Sequence, residues 1–127
     1  MTPQSSNPEA TGDCYEAAGR YMQDATIAGE ADNLTLVHGV VSGRGPLEGQ
    51  RIGHAWIEFK ERAGPYQYEH EVVCDVSNGR NLVLPRSWYY SIGQIDPDEC
   101  NYYTPTEAAK MISTHGTWGP WEGESSR

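Results

Sequence analysis

The sequence predicts an α+β fold, an antiparallel sheet packed against an N-terminal helix, and three observations carry that prediction. Residues 14–25 place apolar side chains at the i, i+3, i+4 spacing of a helix with one buried stripe. Residues 34–41 and 51–76 hold β-branched and aromatic runs joined by turn-forming residues. Residues 104–116 start and stop on helix-capping side chains. At 127 residues the chain fits one domain around one core.

The first twelve residues, MTPQSSNPEATG, are rich in Pro, Ser and Asn and lack a hydrophobic period, so they are expected to form a flexible arm ahead of a single domain at 13–127. The segment CYEAAGRYMQDA then sets Cys14, Ala17, Ala18, Tyr21, Met22 and Ala25 along one helical stripe, with Asp13 as the expected cap. A Gly, Glu and Asp stretch before Asn33 breaks the period. LTLVHGVV follows as a strand, and SGRGPLEGQR as a loop expected to be mobile.

RIGHAWIEFKE reads as a second strand, with Ile52, His54 and Trp56 on one face and Ala55, Ile57 and Phe59 on the other. Its hairpin turn is ERAGP and its return strand YQYEHEVVCDV, which puts Val73 and Asp75 opposite Val72, Cys74 and Val76. After the SNGRN turn, LVLPRSWYYSIG is expected to be a short helix with Pro85 in its first turn, carrying Trp88, Tyr89 and Ile92; strand is the alternative there. In TPTEAAKMISTHG, Thr104 is the cap, Pro105 the first helical residue, Glu107 the capping-box partner and Gly116 the stop. The tail TWGPWEGESSR is expected to fray.

Composition narrows the partners. Eighteen acidic against nine basic residues give a formal charge of −9, which repels phosphate backbones and anionic lipid headgroups. Neither nucleic acid nor a membrane is expected as a partner; the acidity reads as a solvated surface or as attraction for a basic substrate. Four Trp and eight Tyr make up for an apolar fraction of 37%. Three cysteines, at 14, 74 and 100, show no C-x-x-C spacing, so neither a disulfide framework nor a thiolate zinc site is signalled. No apolar run is long enough to span a bilayer and the first twenty residues lack the pattern of a secretion signal, so a cytoplasmic protein is expected, monomeric or weakly homo-oligomeric and without a cofactor.

The chemistry centres on Cys14. A helix N-terminus favours a thiolate through its unpaired N–H groups and the positive end of the dipole, and the same groups can donate to the oxyanion formed when sulfur attacks a carbonyl. The carboxylate of Asp13 would oppose a thiolate if aimed at the sulfur, so this reading turns it toward the backbone as a cap. A cysteine nucleophile also needs an imidazole beside it and a third group that orients the ring. His54 and Asp75 fall on neighbouring strands of the expected hairpin, where facing side chains are about 5 Å apart.

GHAWIEF, preceded by a cysteine at a helix start and followed by VVCDVSNG, resembles the core of the papain-like and transglutaminase-like proteins over Asp13 to Asn78, about half the chain. The resemblance implies a papain/transglutaminase-like core in which Cys14 is the nucleophile, His54 the general base and Asp75 the residue that orients it. It also implies a catalytic domain: a thiol-dependent hydrolase, peptidase, amidase or deamidase, acting on a protein or peptide through a thioester. The papain branch places a glutamine shortly before the cysteine as second oxyanion donor; here Gln4 lies too far upstream and Asn7 is a weak stand-in.

Plainer readings stand beside these. Cys14 alone could be a small core residue, His54 a hydrogen-bonded strand histidine and Asp75 a turn former. Cys74, pointing away from Asp75, is expected in the core, and Cys100 has no assigned role. His38 is the main competitor for the base, followed by His70 and His115. Trp56, on the face of His54, is either a substrate-binding wall or core packing. Cys14, His54, Asp75 and His38 could be drawn as a zinc site, without the close-spaced pairs that usually anchor one. A catalytically inactive protein-binding module on the same fold, of the kind a viral or bacterial inhibitor or interaction protein would be, is the alternative from another class.

Overall fold

Helix α1, Cys14–Ile27, opens the described part of the protein, which in this computed structural model comprises residues 13–43 and 48–121. The expected N-terminal arm, the middle of the loop after the first strand and the last six residues lie outside it. Cys14, Ala18 and Met22 form the buried stripe of α1 at helical spacing, while Tyr21 at its edge is exposed. Four further elements follow: β1 (Leu34–Ser42), β2 (Arg51–Ala63), β3 (Tyr68–Asp75) and β4 (Leu82–Pro85). Helix α2 (Arg86–Gly93), strand β5 (Asn101–Tyr103) and helix α3 (Pro105–His115) complete the helices and strands of the described residues.

The five strands form one antiparallel sheet in the order β4-β3-β2-β1-β5. Because side chains alternate along each strand, the sheet sorts the core into two layers. Leu36, Ala55, Ile57 and Cys74 pack with Ala18 and Met22 of α1, Ala108 of α3 and Trp121. On the other face Val37, Trp56 and Val73 pack with Tyr89 and Tyr90 of α2, Ile95 and Cys100. The sequence reading of both faces of β2 and β3 therefore holds, Cys74 included.

Register explains where a site can form. Pairing of β2 with β3 runs from Ala63↔Tyr68 to Ile57↔Cys74, whereas β1 stays paired with β2 as far as Ser42↔Arg51. Beyond Asp75 the chain leaves the sheet as a 3-10 turn, Ser77–Gly79. At His54, β2 thus keeps β1 on one side and has lost β3 on the other, and the tip of α1 lies against that departing turn.

Two expectations need correction, and one strand is new. Leu82–Pro85 is a strand, pairing Asp75↔Leu82 through Val72↔Pro85, and Pro85 precedes α2 instead of lying in its first turn. A proline without an N–H is tolerated at the end of an edge strand. Strand β5, three residues on the opposite edge, has too little pattern to be read from sequence. The described part of the tail does not fray: Trp121 is 3% exposed within the α1 and α3 layer. Trp118 lies against Gly19, where a Cβ would fall 2.5 Å from its ring. Helix α3 follows its sequence signals fully, with Thr104 Oγ1 accepting from Glu107 N at 3.1 Å, Glu107 Oε1 accepting from Thr104 N at 3.0 Å and Gly116 at φ 70°. Among the described residues no helix is long and apolar enough to cross a membrane.

Candidate active site

Asp75 is the last residue of β3 and His54 lies three residues past the last β2–β3 pair, so alternation puts both side chains on the α2 face. Their approach is diagonal, with Trp56 standing opposite Asp75 if the ladder is extended by one residue. His54 Nε2 and Asp75 Oδ2 are 2.9 Å apart. Cys14, the first residue of α1, comes in through the gap that β3 leaves, and its thiol is near enough to the same ring to act on its protonation. With Nε2 committed to Asp75, Nδ1 is the nitrogen left for the sulfur. The three residues singled out from the sequence therefore meet at one imidazole.

Electrostatics follow from that contact. Burial works against a charged His54 ring, but the hydrogen bonds to Asp75 and Cys14, together with their charges, outweigh it and raise the histidine to about 9. Asp75 is itself buried, which favours its neutral form. Hydrogen bonds from His54, Tyr89 and Ser77 reverse that preference and hold the carboxyl well below the usual carboxylate range. At neutral pH the pair is an imidazolium on a carboxylate.

No family model, curated protein or solved structure matches the chain.

The geometry also shows residues that sequence reasoning missed. Tyr89 of α2 donates to Asp75 Oδ2 at 2.6 Å, and Asp75 Oδ1 accepts from Ser77 N at 3.0 Å and from Ser77 Oγ at 2.7 Å. Four donors thus fix the carboxylate. The D-x-S spacing is a readable signal for the Ser77 bonds, since Asp side chains commonly accept from the backbone two residues on. Nothing in the sequence brings Tyr89 to Asp75, because that contact depends on how α2 crosses the sheet. Burial and the Asp75 charge raise the phenol well above its ordinary value, so Tyr89 is a donor over the whole working range.

Asp13 does not cap α1. Its side chain makes no cap bond to the helix, and both carboxylate oxygens accept instead from Asn78 N, at 3.0 and 3.1 Å. Trp56 is enclosed in the core: it is 0% exposed, its ring lies 5.3 Å from that of Tyr89, and its Nε1 donates to Glu58 at 2.9 Å. Core packing, the alternative, is what the structure shows. His38 sits on the opposite sheet face among Tyr15, Tyr103 and Trp121, so it does not compete with His54 for Asp75, nor do the four drawn zinc donors converge. His70 pairs across the hairpin with Glu61 and His115 lies at the end of α3, both away from the ring. Gln4 and Asn7 lie outside the described residues.

Proposed function

We propose that this protein is a thiol-dependent hydrolase of peptide or side-chain amides, built on a papain/transglutaminase-like core, with Cys14 as nucleophile, His54 as proton carrier and Asp75 as its orienting group. One observation carries the reading: a single imidazole is hydrogen-bonded to a buried carboxylate and has the thiol of a helix tip as its neighbour.

The charge state of the ring sets the order of events. Because His54 stays protonated to about 9, it begins as an acid and not as the general base that its sequence position suggests. The Cys14 thiolate adds to the acyl carbon, and the first-turn N–H groups of α1 stabilise the oxyanion. As the tetrahedral adduct collapses to a thioester, the imidazolium proton passes to the departing amine. The ring, now neutral, takes a proton from water; the hydroxide cleaves the thioester and the thiolate and imidazolium are restored. Asp75, held by Tyr89 and Ser77, keeps the ring in place throughout.

Replacing Cys14 with Ala tests this directly. Hydrolysis of a p-nitrophenyl acetate probe should fall to background, while the melting temperature drops by only about 4 °C, as expected for roughly 1 kcal/mol of lost packing. Retained turnover with a collapsed melting temperature would assign Cys14 to the core.

One observation favours a second reading. Cys14 is 0% exposed and the His54 side chain 14%, so the nucleophile presents no surface to solvent. A catalytically inactive protein-binding module would tolerate that closure. Iodoacetamide near neutral pH separates the two: fast, selective loss at Cys14 marks an activated thiol, and equally slow labelling of Cys14, Cys74 and Cys100 marks the module.

A further inference from the structure

Two successive backbone N–H groups, the second and third after the site aspartate, serve two different carboxylates. Ser77 N donates to Asp75 Oδ1, and the next amide, Asn78 N, donates to Asp13, the residue immediately before Cys14. Asn78 holds the left-handed conformation, φ 55° and ψ 35°, which asparagine accepts more readily than most residues. Successive amides in such a turn converge on one side and make an anion-binding concavity. This short turn therefore grips the strand end that carries Asp75 and the helix tip that carries Cys14 together.

We infer that Asp13 is a positioning residue of the site: its carboxylate, by binding Asn78 N–H, sets how closely the tip of α1 approaches His54. The inference rests on the reading of Cys14 as nucleophile. A cap role is excluded by geometry, since the carboxylate makes no bond to the helix it precedes. The residue on the other side of Cys14 is seated as well. Tyr15 Oη occupies the space over Gly53, where a Cβ would fall 2.5 Å from it, and Gly53 precedes His54. Asp13 and Tyr15 thus hold the segments bearing Asp75 and His54 on either side of the sulfur. The Asp13 bond is exposed, so it contributes little to stability, whereas a thiol displaced by about 1 Å from its partner loses up to about a hundredfold in rate.

Three variants separate position from charge. Asp13→Asn keeps an oxygen for Asn78 N–H without the charge, Asp13→Glu keeps the charge but moves it one methylene outward, and Asp13→Ala removes both. Each folded protein is read by the iodoacetamide rate at Cys14 and by the titration of the His54 ring in NMR. A positioning role predicts that Asp13→Asn stays within about threefold of the wild-type rate, while Asp13→Glu and Asp13→Ala slow by about tenfold or more. In those two the His54 titration moves from about 9 toward 6.5 as the sulfur withdraws. Wild-type rates in Asp13→Glu and Asp13→Ala overturn the inference, as does an Asp13→Asn rate as slow as that of Asp13→Ala. If Asp13→Ala does not fold, the Asn and Glu variants decide between position and charge. Slow, equal labelling of all three cysteines in the wild-type protein instead removes the nucleophile reading, and the positioning role with it.

Discussion

Two carboxylates, Asp75 buried and Glu58 with its side chain 12% exposed, share the α2 face of the sheet beside Trp56, and one difference between their partners decides what each can do. Asp75 and Glu58 each accept a phenol hydroxyl from α2, from Tyr89 and Tyr90 respectively, and each faces a nitrogen base. For Glu58 the base is Arg86, 3.0 Å away, which also donates to Tyr102 Oη at 3.1 Å and lies over the Tyr90 ring at 4.1 Å. For Asp75 it is His54, with a thiol on the ring's far side. A guanidinium does not give up its proton, so the Glu58 cluster is a fixed brace. An imidazole does, so the same architecture at Asp75 can move one.

The sharpest way to break this contrast is to neutralise each carboxylate in turn. Asp75→Asn should lower p-nitrophenyl acetate hydrolysis by about a thousandfold or more, because a carboxamide neither balances the imidazolium nor fixes its tautomer. Glu58→Gln should leave that rate within about threefold. Equal losses in the two variants would mean that the clusters are interchangeable supports.

Stability against pH gives the next largest effect. His54 is raised from 6.5 in the unfolded chain to about 9, so its contribution is complete below 6.5 and is lost as pH rises through 9. Asp75 is depressed, so its contribution is present above about 3.8 and fades as pH falls toward its lowered value. Urea unfolding should therefore show a plateau between about pH 4 and 6.5 and an alkaline decline of up to about 3 kcal/mol. Because Cys14 helps raise the ring, Cys14→Ala should bring that decline to lower pH. A wild-type curve flat from pH 6.5 to 9 would contradict the ion pair.

Smaller still is the static cost of Glu58→Gln. Leaving Arg86 without its counter-charge in a half-buried position should destabilise the fold by about 2 kcal/mol, below the full value for a buried pair because the arginine side chain keeps 27% exposure. Urea midpoints at pH 6 measure it directly, away from the His54 titration.

Legibility from sequence follows the same division between local and assembled features. Helix α1, strands β1 to β3 and helix α3 announce themselves through period and caps, which act over a few residues. The faces of β2 and β3 follow from alternation alone, and that was enough to place His54 and Asp75 together. Edge strands β4 and β5 are short and draw their stability from neighbours far along the chain, so their own residues carry little signal. Tyr89 on Asp75 and Asp13 on Asn78 depend on how α2 and α1 cross the sheet. Asp13 shows the hazard of a local rule: a good capping residue at a helix start served a turn 65 positions away. Trp121 teaches the converse, since a polar, Gly-rich end of chain can still anchor one large ring in the core.

All three cysteines are shielded from solvent to nearly the same degree, Cys14 at 0%, Cys74 at 3% and Cys100 at 1%. Accessibility therefore gives none of them a head start with an electrophile. Any preference the folded chain shows among its thiols is a direct readout of chemical activation, and unfolding the chain in urea should erase it.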